Sequence, residues 1–431
     1  MTDLTLRGVT LPWGVRCDLH IRSGRWADQA AKGATIIDAD ELIVLPGLVD
    51  PHCHLREGAA VTQPAETIAS GTAAAARGGF TTVAAMPNAT PACHSPQQAQ
   101  WLLDRAQTAS ARVVPIGAVT HDRAGQRLAH LAGLGRVGVR LFSDDGAAVA
   151  SADLLAGALR AIAPFDGVVA DHCQDATVAG PTAWRATDAT TPDGPADAWP
   201  RAAETNIVAR DIQVASETGR PVHLCHLSCA ESVDMVRWAK ARHVMVTAEV
   251  TPHHLYLTAD QLRGADPLFK VNPPLRSAED VAVLRAGLAD GTIDMVGTDH
   301  APHRGADKAR HIELASPGMT GLEQALAIVI ETMVNPGHLD WAGVADRMSY
   351  APAALLRLGG TSIWPAAPQP WPVGAPANLV LVNPTARAVV QASNTASLAR
   401  NNPYVGRSLP DPVVMTLWDG RLTYARPDAL A

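Results

Sequence analysis

The sequence predicts an α/β protein, a (β/α)8 TIM-like barrel carrying a small β-sandwich domain made from both chain ends. Three observations lead there. Eight apolar, strand-like runs alternate with helical patterns through the middle of the chain, over the length that eight β/α repeats need. The two ends share another texture, short alternating strands broken by turns. Of 431 residues, 47% are hydrophobic and only 18% charged, enough for a large core. Disordered chains are charge-rich and apolar-poor, so disorder is excluded.

Residues 3–11, 17–21 and 35–44 alternate as strands do, with Ser23-Gly24 as a turn. Residues 1–45 are therefore assigned to the sandwich. The barrel strands are predicted at 47–52, 80–86, 113–119, 137–142, 168–172, 222–226, 244–250 and 295–299, inside a barrel of residues 46–363. Helix starts are legible at Ser95-Pro96 (N-cap, then proline) and at Ser277 with Asp280. The proline-rich stretch 364–376 excludes regular helix and central strand, so it reads as a linker. The remainder of 364–431 returns to the sandwich, with Asp419-Gly420 as a hairpin turn. The rival architecture, a doubly wound open sheet, finds no GxGxxG or P-loop sequence to support it.

Formal charge is −7 and no Lys/Arg run occurs, which argues against nucleic acid and anionic membranes as partners. No uncharged apolar run reaches the ~18 residues of a membrane span. The longest, 322–334, contains Glu323 and Glu331. The N-terminus shows no signal-peptide pattern. Six cysteines without a CxxC pair read as reduced, mostly buried thiols, so a cytoplasmic location is expected.

The histidines and carboxylates carry the chemistry. His52 and His54 end the first predicted strand, His172 the fifth, His226 the sixth and Asp299 the eighth, with Asp144-Asp145 just after the fourth. In a barrel these positions meet at the C-terminal mouth, where active sites are built. Residues two apart lie on one strand face, so His52 and His54 reach one ion. Imidazole and carboxylate ligands suit zinc or a similar divalent ion. Six candidates exceed what one catalytic ion needs, so two Zn2+ are expected, sharing a bridging carboxylate and generating a nucleophile at neutral pH. Asp299 suits one ion and also the role of proton acceptor. The pattern points to metal-assisted hydrolysis, or its reverse, at a C–N bond. His253-His254 reads as supporting; His20, His94, His121, His130, His243, His311 and His338 fall outside strand ends and read as surface or packing residues.

Several motifs sharpen this. Pro46-Gly47-Leu48-Val49-Asp50-Pro51-His52-Cys53-His54-Leu55-Arg56 resembles the opening motif of the amidohydrolase superfamily in its dihydroorotase form. Gly78 to Thr82, Met86-Pro87-Asn88, Phe142 to Gly146, Thr251 to Leu255, Asn272 to Arg276 and Gly297 to His303 are similar in order, over nearly the whole chain. The resemblance implies that His52, His54 and Asp299 bind one zinc and His172 and His226 a second. It makes Asp145, rather than Asp144, the bridge. It implies that Arg56, Asn88 and His303 hold the substrate carboxylate, and that Asn272 contacts a pyrimidine ring. Arg56 has its own argument: two residues beyond His54 it faces the same mouth, and its planar fork grips a carboxylate bidentately. Many cyclic amidases of this superfamily bridge their ions with a carboxylated lysine from the fourth strand. The four lysines here, Lys32, Lys240, Lys270 and Lys308, fall elsewhere. Departures from the family pattern are Glu57-Gly58-Ala59 after the arginine and Cys173-Gln174-Asp175 after His172.

The resemblance implies a dihydroorotase, a cyclic amide hydrolase (EC 3.5.2.3) of de novo pyrimidine biosynthesis. It would interconvert N-carbamoyl-L-aspartate and L-dihydroorotate. A homo-oligomer is expected, and partnership with an aspartate transcarbamoylase stays open. The rivals are another cyclic amidase, such as a hydantoinase or allantoinase, and a non-catalytic scaffold subunit. Arg56 argues against the first, and retention of all six ligands against the second.

Overall fold

The computed structural model describes residues 3–179, 199–359 and 373–427. Eight short parallel strands build the barrel wall: Leu48–Cys53, Phe80–Ala85, Arg112–Pro115, Leu141–Phe142, Val168–Asp171, Val222–Leu224, Val246–Val250 and Met295–Val296. The first three pair in chain order, as do the last five. Parallel bridges Gly117↔Phe142 and Cys53↔His300 join the two arcs, which closes the cylinder. The first two strands are buried along their whole length, as parallel strands covered by helices must be.

The surrounding helices start where the sequence signals them. Ser95 is an N-cap followed by Pro96. Ser277 and Asp280 form a reciprocal capping box, each side chain accepting the other's backbone N–H at 3.2 Å. Helix Ala278–Asp290 then ends on Gly291 in the left-handed region, φ 84°.

Several predicted strands are shorter than expected, the one at 113–119 ending already at Pro115, and at three the local reason is visible. Of 137–142 only Leu141–Phe142 is extended, because Val137 caps helix Leu131–Arg136 and Gly138 takes φ 97°. His226 (φ 37°) and Asp299 (φ 42°) turn out of the strand direction, so their strands stop at Leu224 and Val296. A non-glycine residue held there is strained by ~1–3 kcal/mol, and such strain collects at functional sites. Apart from His52, which lies inside the first strand, the candidate ligands thus lie one to three residues beyond the strands, on the rim of the mouth.

Both chain ends fold together. One sheet runs in the order Arg421–Ala425, Val413–Trp418, Leu379–Val382, Ile43–Pro46, Leu4–Thr10, Arg16–Arg22, Arg25–Ala27, with Thr35–Asp38 also paired to Leu4–Thr10. The predicted strand 35–44 is two strands, split by a turn in which Leu42 N–H donates to Ala39 O at 3.0 Å. Period-two alternation divides the side chains. Val44, Leu379 and Leu381 enter a core with Leu6, Leu19, Trp26 and Met415, while Leu45, Val380 and Val382 pack with the barrel core. Asp419 (φ 51°) and Gly420 (φ 69°) make the predicted hairpin turn between the last two strands. Most of the predicted linker, 364–372, lies outside the described residues. Its end, 373–376, follows the sheet edge, with Trp26 N–H donating to Ala375 O at 2.9 Å.

Candidate metal centre

The barrel mouth brings the six predicted ligands together. His52 and His54 project from the first strand on the same side. Cys53 between them faces the wall, its thiol donating to Ala84 O at 3.3 Å. His54 Nε2 lies 2.9 Å from Asp299 Oδ1 and 3.4 Å from Asp145 Oδ2. His52 Nε2 lies 3.4 Å from Asp145 Oδ1 and 3.5 Å from Asp299 Oδ1. On the other side, His172 Nδ1 is 3.4 Å and His226 Nε2 3.8 Å from the same Asp145 Oδ1, and these two nitrogens are 2.9 Å apart. Asp145 therefore belongs to both groups of converging donor atoms.

Partners behind three of the four histidines fix which nitrogen faces the mouth, while His226 Nδ1 is buried without one. His52 Nδ1 donates to Glu249 Oε1 at 2.6 Å, leaving Nε2 buried with no hydrogen-bond partner. His54 Nδ1 donates to Asn88 Oδ1 at 3.0 Å. His172 Nε2 donates to Gln174 Oε1 at 3.3 Å, which leaves Nδ1 for the mouth. Histidines held this way offer a bare lone pair, as metal-ligating histidines do.

Asp145 is carried by a turn. Its N–H donates to Ser143 Oγ at 3.0 Å, its carbonyl accepts from Arg123, and Gly146 takes φ 89°. Asp144 faces the opposite way, its Oδ1 accepting the Thr120 N–H at 3.0 Å. Lys240 binds Asp294, Lys270 and Lys308 bind backbone carbonyls, and Lys32 is exposed, so none of them enters the mouth.

The electrostatics show a demand for positive charge. Burial alone would raise Asp145, but the charge of His52 and the close approach of His172 and His226 hold it well below the usual carboxylate range. Asp299 is lowered too, because contact with His54 and the charge of His52 outweigh its burial. His52 is raised well above the ordinary histidine value, the pull of Glu249 and Asp145 overcoming burial. Two buried carboxylates and four imidazoles converging on one spot are a donor set that suits divalent cations.

Beside the ligands, Arg56 is held at φ 55° with its Nε buried and without a hydrogen-bond partner. Glu57 turns away, accepting from Arg105 Nη2 at 2.6 Å and the Ile68 N–H at 2.8 Å. Gly58 is required: a Cβ there would meet Thr90 O at 2.5 Å. Asn272 lies 3.1 Å from His172 Nε2 and donates to Gln174 Oε1 at 2.8 Å. His303 donates from Nε2 to Pro317 O at 2.7 Å, so Nδ1 is its free atom. Burial and the neighbouring Arg56 lower its pKa to about 3. Asn88 reaches the site through His54.

Sequence reasoning passed over two buried acids. Glu249 supports both His52 and His223 (3.2 Å), and its signal was a lone acid inside the apolar run 244–250. Asp50 accepts from Thr298 N (2.9 Å) and Oγ1 (2.6 Å), tying the first strand to the residue before Asp299. Burial raises its pKa to about 7. His254, expected to support, hydrogen-bonds Thr251 Oγ1 at 2.7 Å and Pro273 O at 3.2 Å.

Comparison with known proteins bears on the family and the fold. Residues 41–232 match the family model described as dihydro-orotase-like. The chain is 45% identical to a dihydroorotase from Streptomyces coelicolor, over 98% of this chain and 100% of that one. It is 42% identical to one from Mycobacterium tuberculosis, over 98% of each. Among solved structures it resembles the L-hydantoinase of Arthrobacter aurescens, with TM-score 0.84 and 24% identity over 99% and 96% of the two chains. The dihydropyrimidinase of Brevibacillus agri superposes with TM-score 0.83 at 22% identity, over 98% and 95%.

Proposed function

The chain belongs to the dihydroorotase family, and from that premise we propose how its barrel mouth interconverts N-carbamoyl-L-aspartate and L-dihydroorotate. The observation that carries the reading is the position of Asp145, shared between the two ligand groups. His52, His54 and Asp299 would hold one Zn2+, His172 and His226 a second, with Asp145 bridging. Bound there, the ions would supply an activated water at neutral pH and Lewis-acid polarisation of the ring amide carbonyl.

The chain's own residues do the rest. Asp299, kept ionised by His54, takes the proton lost by the attacking water and returns it to the departing ring nitrogen. The new C–O bond forms at the carbonyl carbon first, the C–N bond breaks once the ring nitrogen has received the proton, and cyclisation runs the same steps in reverse. Arg56, with its unpartnered Nε, receives the substrate carboxylate and sets the carbonyl over the ligands. Asn272 and His303 Nδ1 complete the rim, and Asn88 acts by fixing the His54 ring. Because Nδ1 of neutral His303 is an acceptor, it suits a substrate N–H or a water bridging to the carboxylate.

A cytoplasmic setting is supported by the cysteines, all free and five of them buried. Among the described residues no helix is long and apolar enough to cross a membrane. A homo-oligomer, and association with an aspartate transcarbamoylase, rest on the resemblance alone; light scattering with and without that partner tests both. The reaction is tested by assaying metal-analysed protein on dihydroorotate beside hydantoin, dihydrouracil and allantoin. Dihydroorotate should be strongly preferred, and preference for a ring without a carboxylate would reject the assignment.

A further inference from the structure

Lys308 is the last residue of the short helix Gly305–Lys308, which follows His303, and its side chain is buried. Its Nζ donates to three carbonyls: Gly318 O at 3.0 Å, Ser316 O at 3.1 Å and Lys270 O at 3.2 Å. An ammonium has three protons to give, and all three go to backbone. Among the described residues no carboxylate forms an ion pair with it. A buried charge without a counter-ion is costly, and packing alone would be served by a neutral side chain.

The three carbonyls belong to two segments that carry rim residues. Lys270 lies two positions before Asn272. Ser316 and Gly318 flank Pro317, whose carbonyl accepts from His303 Nε2 at 2.7 Å. The Gly318 N–H closes the link by donating to Lys270 O at 2.8 Å. The fit is tight, because Gly318 takes φ 135° and a Cβ there would meet His303 Nε2 at 2.8 Å. The His303 ring, with Nδ1 free, thus takes its orientation from backbone that Lys308 holds against the segment leading to Asn272.

We propose that Lys308 is a positioning residue for substrate binding, acting through Pro317 on His303 and through Lys270 on Asn272, and that its protonated form sets KM. This rests on the reading of His303 and Asn272 as substrate contacts. Burial, then the charge of Lys270, brings the Lys308 pKa down to about 7, against a smaller pull upward from Asp266. Lys270 is itself lowered to about 8 by burial, and the Lys308 charge adds to the lowering of His303. Below about pH 7 the ammonium supplies all three carbonyls. Above it, the neutral amine turns a lone pair toward one of them and the clamp loosens.

The test is steady-state kinetics on metal-analysed wild type, Lys308→Met and Lys308→Arg between pH 6 and 9, with His303→Ala as control. At pH 6, Lys308→Met should raise KM for dihydroorotate about 3–10-fold, the worth of a polar contact or two, with kcat and metal content unchanged. The wild-type KM should climb as pH passes about 7, so the gap to Lys308→Met narrows. Relative to wild type, Lys308→Arg should lack that climb, because arginine keeps its charge. A gap that does not narrow, or loss of kcat or metal alongside the rise in KM, overturns the proposal. If Lys308→Met does not fold, the pH profiles of wild type and Lys308→Arg decide, and parallel profiles overturn it. A KM raised in His303→Ala but not in Lys308→Met rejects the clamp and leaves the substrate contacts standing. An unchanged KM in His303→Ala rejects both.

Discussion

Glu249 accepts a 2.6 Å hydrogen bond from Nδ1 of His52 where both side chains are buried. The other Glu249 oxygen lies 3.2 Å from His223 Nε2, and His223 Nδ1 is 2.8 Å from Thr247 Oγ1. This chain of contacts runs from the barrel interior to the mouth. It holds the His52 ring so that Nε2 faces Asp145 and Asp299, and the acid makes that nitrogen a better donor.

Glu249→Gln keeps the shape of this contact and removes its charge. Metal affinity at the mouth should fall ~10–100-fold, the usual cost of losing such a partner, with the fold intact. Competition with a chelator of known affinity measures it. An unchanged affinity would reduce Glu249 to a packing residue.

Asp299→Ala removes the group assigned to carry the proton. Turnover at saturating dihydroorotate should drop by at least the ~10²–10⁴-fold typical of a general base. A variant with near-normal turnover would take Asp299 out of the mechanism.

Arg56→Met preserves length and removes the charge that meets the ring carboxylate. Transition-state binding of dihydroorotate should weaken by about 2–5 kcal/mol, the cost of a buried charge left unpaired. A ring lacking the carboxylate should lose far less. Comparing kcat/KM on the two substrates decides it, and equal losses would mean Arg56 does not read that group.

Asp280 yields a pH prediction remote from the metals. Burial would raise its pKa, but hydrogen bonds from Arg201, the Ala230 N–H and Ser277 bring it down to about 2. A carboxyl lowered on folding contributes stability that is fully present above its unfolded value of ~3.9 and is lost as pH falls through the folded one. The stability gap between wild type and Asp280→Asn, from urea unfolding, should be constant near neutrality and shrink as pH drops below about 4. A gap that does not change across that range would contradict the role given to Arg201.

The barrel and the histidines and carboxylates that converge at its mouth were legible because both leave local marks. Apolar runs announce the strands, and His52-Cys53-His54 shows its two-residue period without any knowledge of the fold. Glu249 was harder, since a single acid in 244–250 says nothing of the histidines it meets across the barrel. Strand ends were overextended at Val137, His226 and Asp299, where positive φ values here or at the adjacent Gly138 break a pattern that hydropathy alone continues. His94 and His121 read as isolated surface residues because 27 positions separate them and only the folded loops stack their rings.

The central claim is that Asp145 links two ions. Its most direct test is a crystal structure of active enzyme with anomalous data at the zinc edge, read beside the metal content of Asp145→Ala and Asp144→Ala. Two zinc peaks are expected with the Asp145 carboxylate between them, and activity should need no added bicarbonate. Asp145→Ala should lose metal and turnover, whereas Asp144→Ala should mainly loosen the loop it ties to Thr120. A single peak, an Asp145 turned away from the metals, or a modified lysine between them would contradict it.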